Sequence, residues 1–453
     1  MKKRLSIIMS LTLVLAALVL TVVQTSAAGT VQTSPDNLWK YSVNDDGITA
    51  TIGTGSYAQK AYLGNAENVT VPSSINGYTV TGIGRHTFFK LTELKSVTFP
   101  SSVTDIEGNA FYGCTALESV TLSDNIASIA DYLFEGCTAL ESVTIPSGVA
   151  SIGYKSFNNC SSLESITIPS SAASIGNFAF QNCTALSSVT ISSGVSSIGS
   201  YAFQNCTALL SVTIPSSVTS MGDFVFNGCI NLSSVTIQNG ITSIGDSAFK
   251  GCSSLESIVI PSSVTSIDRY AFQNCTALSS VTIPSSVTSF GVSIFDGCSA
   301  ITECIVNYNP SCSYSNIMSK ITGVIIPDGV TSISDSAFRN CTTLTGITIP
   351  SSVTSIGGYA FSGCSGISSV TIPSSVSSIG SSAFYNCSAL TECIVNYNPA
   401  CDYSNIKTII TDVIIPVGVT SLSDNAFNGC SGLTSITIPD SVTAIGNNAI
   451  TAI

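Results

Sequence analysis

Side chains able to do acid–base, nucleophilic or metal chemistry are few in kind and repetitive in place. The 453-residue chain has one histidine, His86, so a Ser-His-Asp triad or a histidine-ligated metal site could draw on that imidazole alone. It has 17 cysteines, nine of which stand 23 residues apart from Cys114 to Cys298; the ladder resumes at Cys341, Cys364 and Cys387 and ends at Cys430. A Phe lies three residues before each of these 13, from Phe111 to Phe427. Equivalent positions in stacked repeats keep Cβ atoms nearly as far apart as the strands, about 4.8 Å, beyond the Cβ separation of about 3.8 Å that a disulfide prefers. The ladder is therefore expected to hold free thiols packed beside the Phe row. Cys304, Cys312, Cys393 and Cys401 are different. They belong to a segment, Thr302–Ile317 (TECIVNYNPSCSYSNI), that recurs as Thr391–Ile406 (TECIVNYNPACDYSNI). A Cys304–Cys312 and a Cys393–Cys401 pair could form there; with no histidine nearby, neither spacing resembles a zinc site, and no metal or cofactor is expected. Acidic residues are scattered repeat substitutions, with no unique carboxylate pair of the kind a hydrolase needs.

The elements that must carry these residues follow from the repeat. Its unit reads A-F-x-x-C-x-x-L-x-x-V-T-I-P-S-S-V-T-S-I-G, as in Ala271–Gly291, where Phe290 replaces the last Ile. Val281 and Ile283 lie two apart, so both face one side of a strand, and Ser and Thr take the other. Pro ends the pairing, and S-S-V-T-S-I supplies a second short extended stretch. The segment G-x-x-A-F-x-x-C has room for one capped helical turn. No unit can bury its face alone, so neighbours must stack into a solenoid. Strand ends recur from residue 72 to residue 439, giving about 17 coils and a stack on the order of 80 Å long at about 4.8 Å per strand. Residues 29–62, with Trp39 and Tyr41, fall outside the period and are expected to cap the N-terminal end; the solenoid covers 63–453, with two shortened coils near 301–320 and 390–409.

Two surfaces could bind a partner. The outward strand positions align Thr121, Thr144, Thr167, Thr190, Thr213 and Thr236 beside Ser142, Ser165 and Ser188, edged by Glu141 and Glu164. Such a face could hydrogen-bond an extended protein segment or glycan; alternatively, Ser and Thr are simply the outward residues that strands tolerate. The duplicated loops offer Tyr308, Asn309, Tyr397 and Asn398, residues suited either to recognition or to a tight Asn-Pro turn.

The unit, with phase, Phe, Cys and Pro recurring together, resembles the 23-residue leucine-rich repeats of BspA-type bacterial surface proteins over about residues 63–453. It departs from the general pattern L-x-x-L-x-L-x-x-N/C-x-L in placing Cys three residues before the first Leu. The resemblance implies a β-dominated leucine-rich-repeat solenoid and a secreted or surface-bound binding protein, in several relatives an adhesin for host matrix proteins or other bacteria. Two other readings compete: a secreted enzyme using a carboxylate pair, and ice or surface binding through the Ser/Thr columns.

Export and charge narrow the partners. Met1–Ala28 reads as a secretory signal peptide, with basic residues 2–4, an apolar run from Leu5 to Val23 and small residues before Gly29; an uncleaved anchor is the alternative. No second apolar span follows. Removing residues 1–28 takes away three basic residues and no acidic ones, leaving a net charge of −15. That surface disfavours nucleic acid and anionic lipid and leaves extracellular protein or glycan as the expected partner. The period places Ile453 in the Cys register, mid-coil, so end-to-end self-association at an uncapped terminus is also expected.

Overall fold

The computed structural model describes residues 29–54 and 59–451. The signal-peptide reading therefore lies outside the described residues, as does the final Ile453. Each regular coil has three sides. The first is a strand such as Ser188–Ile191, in which Val189 and Ile191 are buried and Ser188 and Thr190 exposed. Its residues pair in parallel with their equivalents 23 positions earlier, Ser165 with Ser188 through Ile168 with Ile191. Seventeen such strands stand in one column, from Asn68–Thr70 to Ser435–Thr437, in sheets of four, nine and four. β-Branched inward residues and alternating polarity explain why the chain extends here. Proline then closes a turn, as where Val218 N donates to Pro215 O at 3.0 Å. A second, two-residue strand follows, such as Ser197–Ile198, again paired in parallel with its equivalents.

The third side corrects the sequence reading. No helical turn forms there, and no helix occurs among the described residues. Two residues per coil adopt left-handed backbone, for example Tyr201 (φ 60°) and Asn205 (φ 58°). They break the chain into two tight turns, Gln204 N to Tyr201 O and Cys206 N to Phe203 O, both 3.2 Å. A helix would direct its N–H groups to carbonyls four residues back in its own chain. Here Tyr201 N, Phe203 N and Asn205 N donate instead to Asp223, Val225 and Asn227 carbonyls of the next coil, at 2.8, 2.9 and 2.8 Å. The residue before each ladder cysteine is Gly or Asn because it sits in the left-handed region, which other side chains enter only at about 1–2 kcal/mol.

Inside, the Phe rings form a continuous stack; Phe203, Phe226, Phe249 and Phe272 lie 5.5 Å apart with planes within 9° of parallel. At the N-terminal end the strands Gln32–Thr33, Lys40–Val43 and Thr49–Ile52 form an antiparallel meander that joins Tyr78–Ile83 in parallel. Trp39 and Tyr62 close the ring stack against Phe88, with centroids at 6.1 and 5.9 Å.

The two shortened coils keep only the first side. The strands Glu303–Asn307 and Glu392–Asn396 continue the first column. The second column stops at Ser289–Phe290 and restarts at Ser332–Ile333; it stops again at Ser378–Ile379 and restarts at Ser421–Leu422. Beyond these breaks Tyr314 and Tyr403 start the ring stack again against Phe338 and Phe427, at 5.4 and 5.7 Å.

Candidate functional site

All seventeen cysteines are free, and fifteen of them are buried. In eleven coils the ladder sulfur lies 2.9–3.2 Å from the Phe carbonyl 26 residues earlier and donates its S–H to it. The two ladder thiols without this bond, Cys341 and Cys430, each follow a shortened coil, where Ser315 and Ser404 replace Phe at that position. A donating thiol is a protonated one. Burial pushes Cys114 and Cys229 up to about 12, which disfavours at neutral pH the thiolate that a nucleophile needs. The pairs Cys304–Cys312 and Cys393–Cys401 do not form. Cys304 faces the core from within its strand, and three further residues of extended chain, about 10 Å, carry the backbone away before the turn that leads to Cys312. The Cys312 sulfur meets the Ser313 carbonyl instead.

The remaining chemistry-bearing residues serve the backbone. His86 is 7% exposed, left-handed, and packs edge-on against Phe89 at 4.9 Å; burial and the nearby Arg85 lower its pKa. Asp131, Asp223, Asp335 and Asp424 each accept an N–H of the next coil, from Tyr154, Asp246, Gly358 and Asn447, at 2.6–3.0 Å. Scattered acids on the corner are thus capping groups rather than a catalytic pair.

On the strand face the structure gathers what the sequence aligned. Thr121, Thr144, Thr167, Thr190, Thr213, Thr236, Ser142, Ser165, Ser188, Glu141 and Glu164 are all exposed, and adjacent coils meet in register, Ser211 with Ser234 and Thr213 with Thr236. At the residue after the ladder cysteine the hydroxyls are committed: Thr138, Ser161, Thr184 and Thr207 donate to carbonyls of the preceding coil. No intramolecular bond engages the hydroxyls of the nine strand-face Ser and Thr residues, so these remain available to an outside acceptor or donor.

This face is not uniform, a feature that sequence reasoning missed. At the first shortened coil Thr282 pairs with Ile305 and Ile305 pairs with Gly323, so the outward columns slip by two residues relative to the repeat. The second copy repeats the slip through Thr371, Ile394 and Asp412. Gly323 and Gly346, which lack side chains, leave a trough of about 390 Å³ beside Ile305, Thr322 and Ile325. A count of 20 rather than 23 residues between strand ends was the available signal.

The loop tyrosines are not recognition groups. Tyr308 and Tyr397 are 1% and 2% exposed, because their rings fill the space left by the missing second strand. Their hydroxyls accept the Ser334 and Ser423 N–H groups at 2.8 and 3.0 Å, as a strand carbonyl would. Asn309 and Asn398 turn inward too, donating to the Ser285 and Val376 carbonyls, while Tyr314 and Tyr403 hydroxyls accept their N–H groups at 2.7 Å.

Among solved structures, the chain is similar to a leucine-rich repeat protein from Bacteroides ovatus, with TM-score 0.52 and 23% identity over 92% of this chain and 97% of that one. It is also similar to a leucine rich cell surface protein from Faecalibacterium prausnitzii, with TM-score 0.47 and 29% identity over 85% and 99%. A search of curated proteins finds no match. The model of the BspA type leucine rich repeat region matches residues 51–187, 173–302, 310–407 and 401–453. With nearly the whole solenoid matched and its coils built as described, the chain belongs to the BspA-type leucine-rich repeat family.

Proposed function

We propose that this protein is a secreted or surface-associated, non-enzymatic binding protein that uses the open strand face of its solenoid to hold an extracellular protein segment or a glycan. The observation that carries the reading is the uncommitted state of the outward Ser and Thr hydroxyls, against the committed hydroxyls of Thr138 and Thr184 that follow the ladder cysteines. In the coils that hold these columns, a flat, repetitive face of hydroxyls edged by Glu141 and Glu164 offers many equivalent weak contacts, which favours an extended ligand over a small one. The name of the F. prausnitzii relative, a cell surface protein, accords with the location. The chain's acidity disfavours nucleic acid.

The test is binding of the purified protein to immobilised extracellular-matrix proteins and glycans, beside a variant with Thr144, Thr167, Thr190 and Thr213 changed to Lys. Saturable binding to a panel member that the folded variant loses is the expected result. Binding that the variant retains would move the site off this face, and activity abolished by changing one acidic pair would replace the reading with an enzyme.

A further inference from the structure

In a regular coil the corner donates three main-chain N–H groups to the next coil; Tyr359, Phe361 and Gly363 reach the Ser381, Ala383 and Tyr385 carbonyls at 3.0, 2.8 and 2.7 Å. The following corner has no such neighbour, because the second shortened coil replaces it with the loop through Ser404–Ile409. Ser382, Phe384 and Asn386 keep the same backbone, with φ 56° at Ser382 and 59° at Asn386, yet their N–H groups have no acceptor within the protein. An N–H with no acceptor in the protein is left to water or a ligand, and here three stand in one row. They open on a cleft of about 340 Å³ between this corner and Ser404, Asn405 and Thr408, with no charged lining residue. Tyr385, at the cleft, is 60% exposed.

We infer that this cleft binds an extended, uncharged peptide segment of a partner protein, which offers successive main-chain carbonyls to the Ser382, Phe384 and Asn386 N–H groups and packs one side chain against Tyr385. In ten regular coils this row of donors takes three separate carbonyls of one chain rather than one compact anion, so its spacing suits peptide backbone. The equivalent row at the first joint, Ser293, Phe295 and Gly297, is also unpaired, but Asp296 holds the place of Tyr385 and offers no ring for a ligand side chain to pack against. The second joint is therefore the site. It lies off the strand face and stands or falls independently of the function proposed for that face.

The probe is the blocked octapeptide with the sequence of residues 380–387, carrying Cys387→Ser, since regular coils present this corner's carbonyls to the donor row. Hydrogen exchange on the purified protein reads the outcome. Without peptide, the Ser382, Phe384 and Asn386 amides should exchange at least about tenfold faster than Tyr359, Phe361 and Gly363. Saturating peptide should slow all three together, and the protection should disappear in Thr408→Trp, which fills the cleft from its exposed side. Tyr385→Ser should weaken binding about tenfold, the loss of one interface aromatic. The strand-face lysine variant should bind the peptide unchanged. Three amides already slow in the free protein, or no protection by peptide, or protection of one amide by acetate or sulfate alone, would overturn the inference.

Discussion

A regular coil and a shortened coil meet the same requirement, continuity of hydrogen bonding along the solenoid, with different atoms. In coils such as Ser188–Cys206 the main chain does all of it, through the strand column, the short second strand and the three-bond corner, and the thiol adds a fourth bond to a Phe carbonyl. In coils 301–320 and 390–409 only the strand remains, and side chains substitute for the rest. The Tyr308 hydroxyl replaces a strand carbonyl, and the Asn316 amide supplies the N–H that the Phe290 carbonyl would have received, at 2.8 Å; Tyr397 and Asn405 repeat both bonds. Replacement by side chain is partial: the corner ladder is not restored, and the outward columns slip by two residues. Uncommitted hydroxyls on the strand face and open backbone at the joints are therefore consequences of two different kinds of coil.

Substitutions can break this comparison in order of size. Phe226→Ala, in the uninterrupted ring stack, should lose about 3–5 kcal/mol in urea unfolding, as buried aromatics do. Tyr308→Phe keeps the ring but strands the Ser334 N–H, and should cost about 1–3 kcal/mol; Tyr397→Phe should match it. Tyr201→Phe should change stability by less than about 0.5 kcal/mol, because the Tyr201 hydroxyl bonds to nothing in the protein. Equal effects at 201 and 308 would contradict the substitution of hydroxyl for carbonyl.

Thiols sharpen the same contrast. Burial raises ladder thiols such as Cys114 and Cys229 above their unfolded values, so their contribution is complete below about pH 8.5 and is lost as pH rises toward the folded value of about 12. Unfolding free energy should fall with increasing steepness above about pH 9, by up to about 1.4 kcal/mol per pH unit for each buried thiol that ionises on unfolding. A flat alkaline profile would show that the sulfurs are not buried as thiols. The smallest effect separates two cysteines of the same ladder. Cys229→Ala should cost about 0.5–1.5 kcal/mol more than Cys341→Ala, since only Cys229 donates to a Phe carbonyl.

Most of the regular architecture was legible because each coil repeats the same evidence. Phe, Cys, Leu, Val and Ile recur in fixed phase, and period-two alternation assigned the Thr column outward and its Val and Ile neighbours inward. The corner was misread as a helical turn because Asn or Gly before Cys suits a helix end and an isolated left-handed residue equally; the cross-coil acceptors that decide between them are invisible in one coil's sequence. Tyr308 and Tyr397 resembled exposed loop tyrosines for a similar reason. Their burial depends on the absence of a second strand, and an absence leaves only a shorter interval as its trace. The unpaired row at Ser382, Phe384 and Asn386 arises from what the next coil lacks, so no pattern within residues 380–387 could announce it.

That regular coils are tied by protonated thiols, and the joints by Tyr and Asn rather than by disulfides, is tested most directly by intact-mass measurement after alkylation. Under denaturing, non-reducing conditions the account predicts that all seventeen cysteines are modified, with the twelve buried ladder residues protected before unfolding. A total of thirteen modified under denaturation, with Cys304, Cys312, Cys393 and Cys401 unreactive until a reductant is added, would show cross-linked joints and contradict it.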